Sequence, residues 1–184
     1  MNYHCRKLMS TDLEKVMYWR MLPHVTQYMN TDPVITMEGQ RVWYDKLSSS
    51  SEFYYWIIEI DGNPCGLVNL ADMDKANKRC TWGYYIAEKK WRSFSLATSL
   101  EMSLYDFVFD KIGLNKITGE SFCVNVAAIK LHELCGCETE GILKQHIFKN
   151  DKYYDVCIQS IFAEQWRNIR SGFKYQHINF EDLG

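Results

Sequence analysis

Apolar residues recur along this chain at two periods, which predict strands and helices. In several short runs the apolar and β-branched residues are dense or alternate with polar ones, as in strands. In longer stretches they return every three or four residues, as on one face of a helix. The predicted strands are Tyr3–Leu8, Phe53–Ile60, Gly66–Ala71, Arg79–Ala87, Lys116–Cys123, Thr139–Lys149 and Lys152–Phe162. The predicted helices are Asp12–Met21, Met37–Leu47, Thr98–Asp110 and Asn125–Cys135.

The order of these elements predicts an α/β (α+β mixed) fold. Two helices follow the first strand, and three strands joined by tight turns then form an antiparallel meander. A helix, a strand, a helix and a closing hairpin complete the order. We expect a single domain over residues 1–184, with its core at residues 3–163 and a short tail at residues 164–184.

The junction between the strand Arg79–Ala87 and the helix Thr98–Asp110 carries the clearest functional signal. The cations Lys89, Lys90 and Arg92 lie in the short loop that joins them. The first amides of a helix have no partner within it and lie at the positive end of its dipole, so they bind phosphate well. The loop therefore predicts a phosphate or pyrophosphate site. The alternative is an ordinary strand-to-helix turn with solvated cations.

The composition narrows the classes of protein to which the chain can belong. Its 184 residues are 47% hydrophobic, which suffices for a core. A formal net charge of −2 gives no general attraction for nucleic acid. No apolar run approaches the roughly 18 to 20 residues of a membrane span, and the N-terminal residues lack the apolar stretch of a signal peptide. We expect a cytoplasmic protein with no nucleic-acid partner and no membrane partner.

The seven cysteines predict neither a metal site nor disulfides. Cys135 and Cys137 form the one close pair in the sequence, and no second pair at zinc-ligand spacing accompanies it. An odd number of cysteines without a secretory signal argues for reduced thiols in the cytosol. We therefore expect no metal.

Two motifs carry a resemblance to a known superfamily. The run Arg92-Ser93-Phe94-Ser95-Leu96-Ala97 matches the pattern Arg/Gln-x-x-Gly-x-Gly/Ala at its first and last residues, with Ser95 at the glycine position. The run from Asn125 to Cys137 is similar to Asn-x-x-Ala-x-x-Leu-Tyr-x-x-x-Gly-Phe, with His132 at the tyrosine position. Together with the order of elements, these motifs resemble the Gcn5-related N-acetyltransferase (GNAT) superfamily.

The resemblance implies a GNAT fold and acetyl-CoA as co-substrate. The fold would have a central mixed, largely antiparallel sheet of about seven strands flanked by helices. In the superfamily the first motif holds the pyrophosphate of the cofactor, and the second meets its pantetheine arm. The cofactor-binding residues that follow from the resemblance are Tyr85, Ile86, Arg92, Ser93, Phe94, Ser95, Leu96, Ala97, Asn125 and Lys130.

Two residues are the catalytic candidates. The resemblance puts His132 where other members use a tyrosine to protonate the leaving thiolate, and histidine, with an ordinary pKa of about 6.5, suits that role. Glu120 is the candidate base, because it interrupts an apolar strand. Backbone N–H groups near Tyr84–Ile86 would stabilise the oxyanion. The alternatives are a histidine hydrogen-bonded on a helix flank and a glutamate that reaches solvent.

A narrower resemblance concerns the acceptor. Trp19-Arg20, Trp82–Tyr85 and Ile129–His132, among other segments, are similar to the N-acetyltransferases of pseudaminic acid biosynthesis. These enzymes acetylate the 4-amino group of a UDP-linked amino-dideoxy sugar. Arg20 would pair with a phosphate, and aromatic residues would form an apolar wall. The substrate-binding candidates are Arg20, Tyr28, Met29, Trp43, Trp82 and Tyr84. A solvated arginine and ordinary core aromatics are the alternatives.

Two other functions compete with sugar acetylation. Acetyltransferases of ribosomal-protein N-termini share the Trp-Gly-x-Tyr strand and a similar second helix. A non-catalytic domain that binds acyl-CoA is favoured by Ser95 and by the absence of the usual tyrosine at position 132. A homodimer is compatible with each of these functions.

Overall fold

The computed structural model of the chain describes residues 1–182, in which eight strands form one sheet. The strands are β1 (Tyr3–Lys7), β2 (Tyr54–Ile60), β3 (Asn63–Asp74), β4 (Arg79–Ile86), β5 (Lys116–Phe122), β6 (Glu138–Lys149), β7 (Lys152–Phe162) and β8 (Asn179–Phe180). The helices are α1 (Leu13–Arg20), α2 (Pro23–Thr26), α3 (Met37–Ser48), α4 (Phe94–Asp106), α5 (Val126–Leu134) and α6 (Ala163–Ile169). A π-helical turn, Phe107–Ile112, prolongs α4.

The sheet is mixed and largely antiparallel, as expected. Its strand order is β6-β7-β5-β4-β3-β2-β1-β8, and only the pairs β4–β5 and β1–β8 are parallel among the described strands. The sheet has eight strands where about seven were expected, because the tail adds β8 beside β1. A strand of two residues is too short to produce a recognisable pattern in the sequence.

Helices cover both faces of the sheet. On one face α4 buries Leu96, Leu100 and Leu104 against the strands, and on the other α1 buries Val16 and Trp19. The apolar residues of α4 recur every four positions, so they form the stripe that packs on the sheet. The two layers enclose the central strands β3 and β4. Within residues 1–182 no helix combines the length and apolar character needed to cross a bilayer.

The helix α4 begins at Phe94 and not at Thr98 as predicted. The side chain of Ser93 accepts a hydrogen bond from the amide of Leu96 at 3.1 Å, which makes Ser93 the N-cap residue. Serine is among the residues that best fill this position. The loop after β4 is therefore shorter than expected, and Ser95 lies in the first helical turn.

The strand β3 is longer than predicted. The turn before it contains only Asp61 and Gly62, both at positive φ (49° and 74°), and the strand already pairs with β2 at Asn63. The predicted strand began only at Gly66 and ended at Ala71. Glycine and aspartate tolerate the left-handed conformation of such two-residue turns, so pairing resumes at once.

The tail is part of the core and fixes α4 in place. The Nε1 of the fully buried Trp166 donates to Asp106 at 2.9 Å, and the amide of Ile178 donates to Ser103 at 2.9 Å. Both acceptors belong to α4. The Nε1 of Trp56 in β2 donates to the carbonyl of Glu181 at 2.9 Å. The segment predicted to be a short appended tail thus connects α4 with the sheet.

A buried ion network joins β1 to the turn before α1. Arg6 donates to Glu59 through Nε at 2.7 Å and to both oxygens of Asp12 at 2.7 and 2.8 Å. Burial favours the neutral form of Asp12, but the hydrogen bonds and charge of Arg6 outweigh it and hold the pKa of Asp12 below its usual value. The ion pair therefore stabilises the folded state at neutral pH.

We predict that Asp12→Asn lowers the free energy of unfolding by about 1–3 kcal/mol at pH 7, because it leaves part of the Arg6 charge unpaired. The folded pKa of Asp12 lies below its unfolded value of about 3.9. Its contribution is therefore complete above the unfolded pKa and is lost as the pH falls through the folded pKa. Urea unfolding of the wild type and the variant at pH 7 and at about pH 3 measures the difference in the free energy of unfolding. Glu14→Gln, on the exposed side of α1, is the control. A destabilisation that stays constant across this range would contradict the prediction.

Candidate active site

The candidate site lies where two parallel strands separate. β4 pairs with β5 from Arg79–Lys116 to Trp82–Gly119, and beyond these residues β4 continues to Ile86 without β5 as its neighbour. Backbone N–H groups on that side of β4 are thus freed from the ladder. A cavity of about 1190 Å³ opens here and reaches both faces of the sheet. Ligand pockets usually measure about 300–1,000 Å³, so this cavity lies slightly above the usual range.

His132 is fixed on one side of this cavity. It lies on α5 and is 8% exposed, with Nδ1 2.8 Å from Oε1 of Glu101 and Nε2 3.5 Å from the hydroxyl of Ser121. The indole of Trp82 packs against the imidazole edge to face, with ring centroids 4.9 Å apart. The indole fits because Gly119 lies beneath it, where a Cβ would come within 2.9 Å of Nε1. The imidazole is therefore held in one orientation.

Glu101 is the fully buried carboxylate behind His132. It projects from α4 and also accepts hydrogen bonds from the hydroxyls of Tyr84 at 3.0 Å and Tyr105 at 3.1 Å. Burial, followed by the nearby charge of Glu101, raises the pKa of both tyrosines well above the usual value. Both hydroxyls consequently remain protonated donors. A buried carboxylate needs such donors, and Glu101 has three around it.

Glu120 and Ser121 lie at the separated end of β5. Successive side chains of a strand point to opposite faces, so Ser121 faces His132 while Glu120 faces the side of α1 and α3. Glu120 is exposed, and both residues line the cavity. The two predicted catalytic residues therefore approach the cavity from opposite faces of the sheet.

The N-terminus of α4 forms another wall. Arg92, Ser93, Phe94 and Ala97 line the cavity there. The Nε of Arg92 donates to the carbonyl of Ile86 at 2.7 Å, so this arginine closes the loop onto the end of β4. The amides at the start of α4 face a cavity next to a positively charged loop, which is an arrangement that suits a diphosphate.

Asn125 begins α5 and caps it. Its Oδ1 accepts from the amide of Ala128 at 3.4 Å. Asn125 and His132 both line the cavity, as their separation of two helical turns indicates. The cap sets the start of α5 and thereby the position of His132 along it.

An arginine that forms no salt bridge with the described residues lies on the α1 side of the cavity. Arg20 donates through Nη2 to Thr31 at 3.3 Å, but its buried Nη1 has no hydrogen-bond partner within residues 1–182. The buried hydroxyl of Tyr85 likewise has none in that range. Burial lowers the pKa of Arg20 and raises that of Tyr85. Both residues line the cavity, where an anionic ligand would supply the missing acceptor.

The loop Gln27–Ile35, which lines the same side, is tied to the far end of the sheet. Lys149, the last residue of β6 and only 8% exposed, donates to the carbonyls of Thr26 at 2.7 Å and Met29 at 2.9 Å. Its Nζ also lies 2.8 Å from a carboxylate oxygen of Asp32. The hydrogen bond from Lys149 lowers the pKa of Asp32 to about 2. Asp32 is therefore engaged by Lys149 and does not pair with Arg20.

Most of the predicted site residues line this cavity, and three do not. Those that line it are Arg20, Tyr28, Met29, Trp43, Trp82, Tyr84, Tyr85, Ile86, Arg92, Ser93, Phe94, Ala97, Glu120, Asn125 and His132. Leu96 is fully buried in the core because α4 already begins at Phe94. Lys130 is exposed on α5, away from the cavity lining, and Ser95 is exposed on the first turn of α4.

Sequence reasoning missed Glu101, Ser121 and Lys149. The sequence did contain a signal for Glu101. It lies four residues from both Ala97 and Tyr105, so its carboxylate interrupts the apolar face of a predicted helix. Lys149 had no such signal, because its partners lie about 120 residues away in the chain. Among residues 1–182 no three His, Cys, Asp or Glu side chains gather in a way that would hold a metal ion.

The chain matches known proteins over most of its length. The family model for the acetyltransferase (GNAT) domain matches residues 4–138. An uncharacterized N-acetyltransferase of Bacillus subtilis, YokL, derived from the SPbeta prophage, is 30% identical over 121 residues, which cover 65% of this chain and 67% of that protein. The spermidine N(1)-acetyltransferase of Escherichia coli K12 is 25% identical over 166 residues, which cover 89% of each chain.

The fold also matches a solved structure. The crystal structure of the spermidine N-acetyltransferase from Vibrio cholerae in complex with CoA and spermine superposes with a TM-score of 0.85. The superposition covers 91% of this chain and 99% of that one, at 23% sequence identity. At this identity the similarity is one of fold.

We predict that Lys149→Met loosens the loop Gln27–Ile35. The variant loses the hydrogen bonds of one charged donor, each worth about 1.5–3 kcal/mol, so amide exchange at Gln27 and Met29 should accelerate by about 10- to 100-fold. Hydrogen exchange followed by mass spectrometry measures this. Lys144→Met is the control, because it removes an exposed lysine from β6, the strand of Lys149, that pairs with Asp155 of β7. It should leave amide exchange at Gln27 and Met29 unchanged. Equal effects of the two variants on this exchange would contradict the prediction that Lys149 holds the loop in place.

Proposed function

Because this chain belongs to the GNAT family of acetyltransferases, we propose that it acetylates an amine. The acceptor would be the 4-amino group of a UDP-linked 4-amino-4,6-dideoxy sugar, a molecule that also carries negative charge. The chain is an acetyl-CoA-dependent N-acetyltransferase. The non-catalytic domain that the sequence left open is therefore set aside. The observation that carries the proposal about the acceptor is the guanidinium of Arg20 in the wall of the cavity, whose buried Nη1 has no hydrogen-bond partner among residues 1–182.

The geometry supports a division of the cavity between the two substrates. The pyrophosphate of acetyl-CoA would bind at the amides that begin α4, beside Ser93 and Ala97. From there the pantetheine arm would follow the gap between β4 and β5 towards His132. The acceptor would enter from the opposite side, between α1 and the loop Gln27–Ile35.

The residues at the gap match the needs of acetyl transfer. Unpaired N–H groups of β4 beyond Trp82 would stabilise the oxyanion that forms on the thioester carbonyl. Glu120 would hold the incoming ammonium on the acceptor side. His132 would handle the proton that moves from the amine to the CoA sulfur.

Charge argues for an acceptor with an anionic group. The cavity wall contains two arginines, Arg20 and Arg92, and one carboxylate, Glu120. Asp32, near Arg20, is engaged by Lys149. A diphosphate would give Arg20 the bidentate partner that it lacks. The aromatic side chains of Tyr28 and Trp43, which also line this side, would cover the base and the sugar.

Polyamines are the second candidate acceptors. Several relatives are named as spermidine N(1)-acetyltransferases, including those of Escherichia coli and Vibrio cholerae. Spermidine carries several positive charges, and on the acceptor side the wall offers one arginine beside one glutamate, which gives spermidine little net electrostatic attraction. A protein N-terminus is the third candidate, because the Bacillus subtilis protein YdaF, 24% identical over 106 residues, is named as a putative ribosomal N-acetyltransferase.

We predict that Ala97→Glu weakens CoA binding at least about tenfold, because it adds a carboxylate beside the proposed pyrophosphate site. A glutamate in the first turn of a helix favours the helix, so the fold should be retained. Thr98→Glu adds the same charge at the next position, outside the cavity lining, and should change the affinity less than about twofold. Isothermal titration calorimetry with CoA measures both. Equal affinities of the two variants for CoA would contradict the proposal that the pyrophosphate binds beside Ala97.

The acceptor is tested by an acetylation assay with three amines: the UDP-linked 4-amino sugar, spermidine and a ribosomal-protein N-terminal peptide. We expect turnover of the sugar to exceed that of the others. Arg20→Gln should raise the acceptor KM by about 10- to 100-fold, the effect of one or two charge-assisted hydrogen bonds, and spare the KM for acetyl-CoA.

Lys15→Gln is the matched control for Arg20→Gln, since it removes the same charge from the same helix outside the cavity. It should leave both KM values unchanged. Turnover of spermidine or of the peptide in the absence of sugar acetylation would replace the proposed acceptor with that amine.

A further inference from the structure

One buried charge next to the site has no role in the transfer described above. Glu101 is fully buried and touches the imidazole of His132. We propose that Glu101 is a positioning residue that makes His132 both the base and the acid of the reaction. This inference rests on the proposed role of His132 but not on the identity of the acceptor amine.

The contact with Glu101 determines which nitrogen of the imidazole carries the proton. Nδ1 lies 2.8 Å from a carboxylate oxygen, and an ionised carboxylate only accepts hydrogen bonds. Nδ1 of His132 must therefore be the N–H nitrogen in the neutral ring. Nε2 is then the nitrogen with the free lone pair, and it lies on the side of Ser121 and the cavity. A lone pair on the cavity side is what a base needs.

The surroundings keep Glu101 in its accepting state. The hydroxyls of Tyr84 and Tyr105 both donate to it, and their raised pKa values mean that they do not lose these protons. The thiols of Cys135 and Cys137 both lie near Glu101, and burial raises the pKa of each, so neither adds a competing charge. Three side chains thus donate to one carboxylate: two tyrosines that stay protonated, and His132, whose Nε2 lies on the cavity side.

A purely structural role explains this arrangement less well. A buried carboxylate is costly, and an apolar residue at position 101 would continue the stripe of α4 without that cost. Tyr84 and Tyr105 require hydrogen-bond partners, but a neutral amide or hydroxyl would satisfy them. A negative charge at this position has one specific effect, which is to stabilise a positively charged His132.

From the neutral amine onward, the proton balance of the reaction fits a single residue. As the amine nitrogen bonds to the thioester carbonyl carbon, neutral Nε2 of His132 takes a proton from that nitrogen. The imidazolium is stabilised by Glu101 while the C–S bond breaks. The same proton then passes from Nε2 to the CoA thiolate, which leaves an amide, a free thiol and a neutral histidine. This balance starts from the neutral amine; an acceptor that arrives as an ammonium first loses one proton, which Glu120 or solvent takes up.

A double-mutant cycle tests whether Glu101 acts through His132. With the amine that the wild type turns over best, Glu101→Gln should lower kcat by about 10- to 1,000-fold and leave both KM values within about threefold. The acid limb of its pH–rate profile should move to lower pH, because the imidazolium has lost its counter-charge. In a His132→Gln background the same change should alter kcat less than about twofold.

An equal loss from Glu101→Gln in both backgrounds would overturn the proposal, because it would mean that Glu101 supports the fold alone. Ser103→Ala, a change at a buried residue of α4 that bonds the tail, is the control for stability. It should lower the melting temperature without moving the pH profile. Glu101→Asp, which keeps the charge, should retain more activity than Glu101→Gln.

A spectroscopic readout on the wild type does not depend on any variant folding. The ¹⁵N spectrum of the His132 imidazole at high pH should show a protonated Nδ1 and an unprotonated Nε2. A dominant Nε2–H form would overturn the proposal, whatever the acceptor. Because this measurement needs no amine, its failure is distinguishable from a wrong choice of acceptor.

Discussion

The separation of β4 and β5 is the constraint on which the rest of the structure depends. Two parallel strands that stay paired bury their backbones, whereas these part after Trp82 and Gly119 and leave one edge of β4 open inside the protein. Buried N–H groups without partners are costly, so such an opening must be filled by a ligand or water. The helices α4 and α5 begin beside this gap, and the cavity follows from it.

Tertiary packing then holds the charged groups around the gap in place. The tail bonds to α4 at Ser103 and Asp106, and α4 in turn carries Glu101 to the back of His132. A site built on helices that are anchored on both sides can keep a histidine in one orientation. The segment farthest along the described chain thereby contributes to the position of His132.

The sequence predicted most elements, because alternation and helical periodicity are local. It misplaced the start of α4, since the cap at Ser93 was not recognised, and it missed β8, which exists only through its pairing with β1. Motifs located the residues that lie on one loop or one helix, such as Arg92 and His132. Contacts between distant segments, such as that between Glu101 and His132, leave no local pattern and emerged only in three dimensions.

The contacts of Lys149 separate the support of the loop at residues 27–35 from the support of the strands at the gap. The loop of residues 27–35 is held from the tip of the β6–β7 hairpin at one edge of the sheet, and not from β4 or β5. Substitutions in the hairpin can therefore reshape this side of the cavity while the residues at the gap between β4 and β5 stay unchanged. Such a division allows one catalytic core to acquire new substrates through changes at its periphery.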